Sequence, residues 1–283
     1  MLPNYLHIGA AKCKSSWLYQ VCLRHPDIYV PGENYDNVNF FTTGWHRGLA
    51  WYEKTYFAGV AGEKVVGEFS NSYMVFEPAL QRIAATVPNA KLTMTVMNPV
   101  DRIFYNWAHF YLKKKCRITQ SGKTTLISRV ELQAMLESLG MQRKPGMIVP
   151  LERLVHHHGH AWFRQFAEPG FYAFHIARIH RYFKPEQLHV MLYDDLLEDQ
   201  ARFLRDYFRF LGVAESFRCD LKPEATNPDP PMAGNEIWFP PALRAEFIEV
   251  YREDILALQR LLNRDLSHWL DPDSPAAYRL APR

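Results

Sequence analysis

The stretch YLHIGAAKCKSSWLYQ, residues 5–20, joins a strand-like run to a helix-like run through a basic turn. The apolar run Tyr5–Ile8 is typical of a buried strand, and helical spacing of apolar residues begins near Ser15. A strand, a turn and a helix in this order direct the free N–H groups of the helix into the turn, where an anion, most often a phosphate, is favoured. The turn therefore indicates a phosphate site, and a basic turn that only caps the helix is the alternative.

The side chains of this turn have the chemistry that an anion site needs. Lys12 and Lys14 supply positive charge, and Ser15 and Ser16 supply hydroxyl donors. The pattern is not a Walker A loop, because G-x-x-x-x-G-K-(S/T) requires a second glycine where this chain has Lys14. We predict that these four residues and the following Trp17 form the phosphate-binding segment.

Composition and charge describe a globular protein with a substantial core. Of the 283 residues, 48% are hydrophobic and 14% aromatic, which argues against disorder. The net charge of +3 is too small to indicate nucleic-acid binding. No apolar run reaches the roughly 18 residues of a membrane helix, and no signal peptide is visible. The four cysteines lack metal-type spacing and are too few for a disulfide scaffold, which indicates a reducing cytoplasm. We therefore expect a cytoplasmic protein that binds neither a membrane nor nucleic acid.

Strand-like runs alternate with helical patterns along the chain, which predicts an α/β fold with a central parallel sheet flanked by helices. The predicted strands are Tyr5–Ile8, Asp27–Val30, Lys64–Glu68, Leu92–Met97 and Leu188–Tyr193. The predicted helices are Ser15–Arg24, Pro78–Thr86, Val100–Leu112, Phe171–Tyr182 and Gln200–Leu211, followed by a long amphipathic helix through Leu243–Leu262. We expect one domain over residues 1–283.

The segment Cys116–Pro150 fits this alternation least well. It follows a basic run and contains a helical pattern near Val130–Leu139. We interpret it as a helical insertion that forms a lid or an acceptor pocket, and a solvated surface excursion is the alternative. The histidine cluster at 156–160 lacks ligand-type spacing, so we expect an exposed turn there and no metal.

Several motifs, in the same order along the chain, resemble the sulfotransferases that use 3′-phosphoadenosine-5′-phosphosulfate (PAPS). The opening of that family, G-x-x-K-(A/S)-G-(S/T)-(S/T)-x-L with a later H-P and a Pro-led loop, is similar to IGAAKCKSSWLYQVCLRHPDIYVPGE at 8–33. Later elements are similar to NVNFFTTGWHRGLAWYEKTYF at 37–57, GEFSNSYM at 67–74, MNPVDRIFYNW at 97–107, the stretch 170–213 and LLNRDLSHWL at 261–270. The resemblance covers most of the chain and implies a P-loop-like sulfotransferase fold.

The resemblance also implies roles for the residues of the turn. Lys12 would stabilise the leaving oxygen of the 5′-phosphosulfate, while Ser15, Ser16 and backbone amides would hold the 5′-phosphate. Positioning and charge stabilisation dominate such an in-line transfer, so no metal is required in principle. Lys14 replaces the glycine that the family usually has before the two hydroxyl residues, and it either adds a second charge or obstructs the loop.

Two residues depart from the family's R-N-P-x-x-R-x-x-S loop, which grips the 3′-phosphate. The usual arginine is Met97 and the usual serine is Tyr105. Losing the arginine removes a charge-assisted contact worth about 1.5–3 kcal/mol. We keep Arg102 and Tyr105 in the predicted cofactor site, with Arg102 and the lysines at 113–115 as the expected compensation. A weakly held or unheld 3′-phosphate is the alternative.

Three carboxylates are candidates for the base that takes the acceptor's proton. Glu33 resembles the G-E placement of the base in tyrosylprotein sulfotransferases. Asp36 is one position out of register with the acid that precedes x-x-F-F in many relatives, where this chain has Asn37. Glu68 closes a strand at the edge where parallel sheets bind ligands. We rank Glu33 first, Asp36 second and Glu68 third, and a polar turn is the alternative for the first two.

The acceptor is predicted from the residue that follows Glu68. Glycan-modifying relatives often have lysine there, and this chain has Phe69, which argues against an anionic polysaccharide. We therefore expect sulfuryl transfer from PAPS to a hydroxyl of a small-molecule acceptor, such as a specialised metabolite. The alternatives are the same fold with another donor or reaction, and a catalytically idle nucleotide-binding homologue. Asp194 and Asp195, after the last strand, are expected to cap the following helix.

Overall fold

The computed structural model describes residues 1–32, 37–103, 105–106, 167–223 and 241–274. The chain divides into two compact units, Met1–Met97 with Ile176–Asn227, and Asn98–His175 with Pro228–Arg283. The first unit carries the sheet, and the described residues of the second are helical or irregular. The predicted insertion Cys116–Pro150 and the histidine cluster at 156–160 lie outside the described residues. The expected boundaries of a single domain stay a prediction.

Five parallel strands form one sheet in the order β2-β3-β1-β4-β5. The strands are β1 (Tyr5–Gly9), β2 (Ile28–Tyr29), β3 (Val65–Phe69), β4 (Lys91–Val96) and β5 (Leu188–Leu192). Each begins and ends within one residue of its predicted bounds. The central strand β1 has β3 on one side and β4 on the other, and ligands of such sheets bind beyond the carboxyl ends of the strands. The predicted parallel sheet flanked by helices is confirmed.

Seven α-helices are assigned among the described residues. They are α1 (Ser15–Cys22), α2 (Leu49–Tyr56), α3 (Glu77–Thr86), α4 (Tyr172–Ile179), α5 (Tyr193–Glu198), α6 (Gln200–Leu211) and α7 (Pro241–Leu262). Residues 99–103 are also helical, and a π-helical turn spans Phe40–Gly44. The predicted helices that lie in the described part of the chain are found, whereas α2 and α5 have no counterpart in the sequence-based prediction.

Local sequence signals account for the ends of α6. The Asp199 carboxylate accepts a hydrogen bond of 2.9 Å from the backbone N–H of Arg202, which is an N-cap interaction. The helix ends at Gly212, whose φ of 82° lies in the left-handed region that favours glycine. Asp194 and Asp195 instead lie in the first turn of α5, where negative charge suits the helix dipole. The expectation that they cap a helix is therefore wrong.

Polar side chains of the buried central strand are joined in one hydrogen-bonded network. Thr93 Oγ1 of β4 lies 2.8 Å from Tyr5 OH and 3.0 Å from His7 Nδ1. Tyr207 OH donates to Tyr5 OH at 2.7 Å and lies 3.1 Å from Cys22 Sγ. Burial lowers the pKa of His7 to about 3 and raises the pKa of Cys22 to about 12. Both groups are therefore neutral at physiological pH, which suits the interior of the sheet.

Two electrostatic contacts, one partly exposed and one buried, lie within the second unit. The Asp254 carboxylate accepts hydrogen bonds of 3.0 Å from the backbone N–H groups of Ala173 and Phe174, in the first turn of α4. This places a negative charge at a helix N-terminus, where the helix dipole is favourable. Arg244 of α7 forms an ion pair with Asp101, and both side chains are buried.

None of the described helices is both long enough and apolar enough to cross a membrane. Cys13, Cys22 and Cys219 are free thiols. Within the same residues, no group of three or more His, Cys, Asp or Glu side chains is arranged to hold a metal ion. The cytoplasmic location stays a prediction.

Gly67→Ala tests the close approach of β1 and β3. Gly67 pairs with Tyr5, and a β-carbon at Gly67 would lie 2.3 Å from Tyr5 Cδ1 and 2.9 Å from the Tyr5 carbonyl oxygen. Overpacking of this kind costs about 1–3 kcal/mol, so urea unfolding should show a loss of that size in the free energy of unfolding. The control is Gly32→Ala, because no heavy atom of the described residues lies within 4 Å of a β-carbon there. Equal losses in the two variants would contradict the clash.

Candidate active site

The turn between β1 and α1 has an unusual backbone. Lys12 and Lys14 both have positive φ, 75° and 62°, and both side chains are half-buried. The left-handed region costs a residue with a β-carbon roughly 1–2 kcal/mol. Two such residues within three positions mark a segment whose conformation is fixed by its surroundings, as is common at ligand sites. Binding of an anion by this turn stays a prediction.

Lys14 keeps the backbone conformation that glycine favours. Its φ of 62° and ψ of 26° are left-handed helical values, and it is the residue immediately before α1. The family motif has glycine here, and glycine adopts this conformation without steric cost. Lys14 therefore adds an ammonium group to a turn whose backbone conformation suits glycine, and whether it supplies a second charge or obstructs the loop stays a prediction.

The first residues of α1 offer backbone donors beside the two hydroxyls. The first hydrogen bond of the helix runs from the Leu18 N–H to the Lys14 carbonyl at 3.1 Å. Ser15, Ser16 and Trp17 precede it, and the N–H groups at such positions have no acceptor within a helix. The Trp17 side chain is buried, and its Nε1–H donates to the Leu221 carbonyl at 2.8 Å. Whether Trp17 contacts a cofactor stays a prediction.

Glu68 lies at the carboxyl edge of β3 and is completely buried. Its Oε1 accepts hydrogen bonds of 2.7 Å from both Tyr52 OH and Tyr73 OH, and its Oε2 accepts one of 2.8 Å from Ser70 Oγ. Burial raises the pKa of Glu68 to about 7, while the three hydroxyl donors act in the opposite direction. Both carboxylate oxygens are thus engaged by protein hydroxyls, and this weighs against Glu68 as the base that receives the acceptor's proton.

The hydroxyl partners of Glu68 also hold the segment that leads out of residues 33–36. Ser70 Oγ accepts a hydrogen bond of 2.7 Å from the Asn39 N–H, and Tyr73 OH accepts one of 3.1 Å from the Phe41 N–H. Glu68 therefore anchors this backbone through two intermediate hydroxyls. The three partners lie within motifs of the sequence analysis, yet no spacing in the sequence links them to Glu68.

The two first-ranked base candidates, Glu33 and Asp36, lie outside the described residues. Hydrogen bonds fix the position of the chain on either side of them. Before them, Tyr19 OH of α1 donates to the Pro31 carbonyl at 2.5 Å. After them, Asn37 Oδ1 accepts a hydrogen bond of 3.2 Å from Asn71 Nδ2. The role of either carboxylate as the base stays a prediction.

The residues predicted for the 3′-phosphate are buried. Met97 follows β4 and is fully buried, so the position of the usual arginine is occupied by a core side chain. Arg102 and Tyr105 are buried and belong to the second unit. The helical segment containing Arg102 begins with an N-cap interaction, in which Asn98 Oδ1 accepts from the Val100 N–H at 3.0 Å. Whether Arg102 and Tyr105 contact a nucleotide stays a prediction.

Comparison with known proteins extends this description from the motifs to the whole chain. A family model described as "Sulfotransferase domain" matches residues 3–223, well over half of the chain. The chain belongs to the sulfotransferase family. The resemblance predicted from its motifs is confirmed, and the strand–turn–helix at residues 5–22 of this sulfotransferase lies inside the matched region.

Two relatives modify heparan sulfate, according to their names. The sulfotransferase is 29% identical over 220 residues to the human bifunctional heparan sulfate N-deacetylase/N-sulfotransferase 3, covering 75% of this chain and 22% of that protein. It is 26% identical over 212 residues to the Mus musculus heparan sulfate glucosamine 3-O-sulfotransferase 3B1, covering 75% and 46%. The chain thus spans less than half the length of these relatives.

One solved structure supports the fold of the whole chain. The crystal structure of a sulfotransferase from Alicyclobacillus acidocaldarius matches with a TM-score of 0.71 and 28% sequence identity. The match covers 95% of this chain and 99% of that chain. The expected sulfotransferase fold is therefore confirmed, independently of the assignment of single site residues.

Glu68→Gln should remove a pH-dependent component of stability. The folded-state pKa of about 7 exceeds the ordinary value of 4.5, so the folded protein binds this proton more tightly than the unfolded chain does. The resulting stabilisation is fully present below pH 4.5 and is lost as the pH rises to about 7, with a size of about 3 kcal/mol at most. Urea unfolding between pH 4.5 and pH 8 should show this loss in the wild type and not in Glu68→Gln.

Glu186→Gln is the matched control for this pH series. Glu186 is exposed in the turn before β5, so its replacement should leave the pH dependence of the wild type in place. The interpretation of Glu68 would be contradicted by a Glu68→Gln variant whose stability falls with pH as steeply as that of the wild type.

Proposed function

We propose that this sulfotransferase moves a sulfuryl group from PAPS to a hydroxyl group of a small-molecule acceptor. The proposal is carried by the turn after β1, in which Lys12 and Lys14 adopt left-handed conformations directly before the N-terminus of α1. Family membership supports the reaction class. The donor and the acceptor are the proposed parts.

The donor set of the turn fits an anionic 5′-phosphosulfate. One short segment, residues 12–17, contains all the donors. They are two ammonium groups, the hydroxyls of Ser15 and Ser16 and the first N–H groups of α1. When bound, PAPS supplies the sulfuryl group and an anionic leaving phosphate. Lys12 stabilises the negative charge that develops on the leaving oxygen, and Lys14 adds a second positive charge. Ser15, Ser16 and the helix N–H groups hold the phosphate oxygens.

A carboxylate of the segment 33–36 accepts the acceptor's proton in this proposal. Glu33 is ranked first and Asp36 second, from the resemblance to known relatives. The hydrogen bonds that hold Pro31 on one side and Asn39 on the other support a base on this segment, because a base must be positioned to be effective. Glu68 then anchors the segment instead of taking the proton.

A buried aromatic ring supports an uncharged acceptor. Phe69 occupies the position where glycan-modifying relatives often have lysine, and it is fully buried. Its ring stacks on His7 with centroids 4.8 Å apart and meets Tyr5 edge-on at 6.0 Å. The position therefore contributes packing instead of a cation for an anionic sugar. A glycan acceptor is the second candidate, favoured by the heparan sulfate named in the relatives.

The decisive experiment is calorimetric titration with adenosine 3′,5′-bisphosphate and, separately, with 5′-AMP. We expect the bisphosphate to bind at least tenfold more tightly, because the PAPS-type donor carries both phosphates. Transfer assays with PAPS then compare phenols and alcohols with a desulfated heparan-type polysaccharide. Equal binding of the two nucleotides, or binding of neither, would overturn PAPS in favour of another donor or another role, and binding without transfer to any acceptor would favour the idle nucleotide-binding homologue. Sulfation of the polysaccharide alone would select the second candidate.

Lys12→Ala should abolish measurable transfer while the protein stays folded. Removing one group that stabilises charge in the transition state typically lowers kcat by about 100-fold to 1,000-fold. The readout is release of adenosine 3′,5′-bisphosphate from PAPS with the acceptor found above, alongside circular dichroism. Lys54→Ala is the control, because Lys54 is an exposed residue of α2. Activity within twofold of the wild type in Lys12→Ala would exclude Lys12 from the mechanism.

A further inference from the structure

Asn71 joins the phosphate turn to the segment proposed to carry the base. It follows β3 by two residues and is buried, with 7% of its surface exposed. Its Nδ2 donates to Ser15 Oγ at 3.1 Å and to Asn37 Oδ1 at 3.2 Å. One side-chain amide thus contacts the first residue of α1 and the first described residue after the segment 33–36.

The orientation of the Asn71 amide follows from its partners. Asn37 Oδ1 also receives the backbone N–H of Asn71, at 3.5 Å. An oxygen that faces this N–H is an acceptor, so the nitrogen of the Asn71 amide, and not its oxygen, faces Asn37. The same NH2 group therefore presents its second hydrogen to Ser15.

This orientation determines what the Ser15 hydroxyl can do. A serine hydroxyl has one hydrogen to donate and two lone pairs to accept with. Because Ser15 Oγ accepts from Asn71, its own hydrogen points to a different group. Ser15 is the first residue of α1, where helix N–H groups and the helix dipole favour an anion.

We propose that Asn71 is a positioning residue, which fixes the Ser15 hydroxyl as a hydrogen-bond donor toward the 5′-phosphate and links Ser15 to Asn37. The inference rests on the proposed function, because the phosphate belongs to the proposed donor. The motif GEFSNSYM does not predict this role, because Ser15 and Asn71 are 56 residues apart in the chain.

The Asn71 side-chain oxygen adds an independent observation. Asn71 Oδ1 is buried and has no hydrogen-bond partner among the described residues. Buried acceptors are normally satisfied, and because a phosphate oxygen cannot donate, this one fits a water or a donor group of the ligand beside the phosphate. This oxygen belongs to the same planar amide that contacts Ser15, so it lies within a few ångströms of the proposed phosphate site.

A double-mutant cycle tests the link between the two residues. Calorimetry with adenosine 3′,5′-bisphosphate measures the wild type, Asn71→Ala, Ser15→Ala and the double variant. We expect Asn71→Ala to weaken binding by about threefold to tenfold, and to have no further effect once Ser15 is alanine. Additive losses would overturn the inference, because they would show that Asn71 does not act through Ser15.

The variant Asn71→Asp distinguishes a positioning role of Asn71 from a purely structural one. Aspartate has the size of asparagine, so a purely structural role predicts a smaller loss of affinity than in Asn71→Ala. Under the proposal the loss is larger than in Asn71→Ala, at least tenfold, because the carboxylate accepts the Ser15 hydrogen and places a negative charge beside the phosphate. A milder effect of Asn71→Asp would overturn the inference.

Ser72→Ala is the matched control on the same loop. Ser72 Oγ donates to Asn39 Oδ1 at 2.7 Å, so this variant disturbs the neighbouring contacts without removing the hydrogen bond to Ser15. Its affinity for the bisphosphate should stay within twofold of the wild type, and circular dichroism confirms folding. A loss equal to that of Asn71→Ala would overturn the inference.

Failure of the wild type itself to bind would overturn the proposed function, whereas wild-type binding with an additive cycle overturns the role of Asn71 alone.

Discussion

The buried carboxylate of Glu68 is the interaction on which the carboxyl edge of β3 depends. Removing a carboxylate from water is costly unless hydrogen bonds replace its hydration. Three hydroxyls do so here, from Tyr52 on α2 and from Ser70 and Tyr73 after β3. Two of these hydroxyls in turn accept backbone N–H groups of the segment at Asn39 and Phe41. The loop beside the proposed base is thereby held by side-chain hydroxyls, together with a backbone hydrogen bond of 3.2 Å from the Val38 N–H to the Phe69 carbonyl of β3.

The turn that follows β1 has a strained backbone. Lys12 and Lys14 take left-handed conformations that glycine would adopt more easily. The turn that bears this strain sits between a fully buried strand and a helix whose apolar face is buried. Packing of the strand and the helix fixes the conformation of the turn and offsets its strain. The strained turn places two lysines directly before the N-terminus of α1.

The sequence contained most of the fold and only part of the site. All five strands were predictable because each is a short apolar run between polar turns, and a parallel sheet buries such runs on both faces. The helix α2 was not, since only Tyr52 among its residues is buried and its apolar periodicity is weak. The turn residues Lys12 to Ser16 were predictable because their chemistry is local. The role of Glu68 was not, because its partner Tyr52 is 16 residues away in the chain and meets it only in the folded protein.

Cys22 gives the folded protein a built-in reporter of its own opening. The thiol lies at the end of α1, in contact with the buried network of β1, and its pKa of about 12 leaves almost no thiolate at neutral pH. Because Cys22 is also fully buried and contacts Tyr207 of α6, alkylating reagents reach it only after α1 or α6 has moved away from this network. The alkylation rate of Cys22 measures how often this packing opens, which is a local free energy that global unfolding does not report.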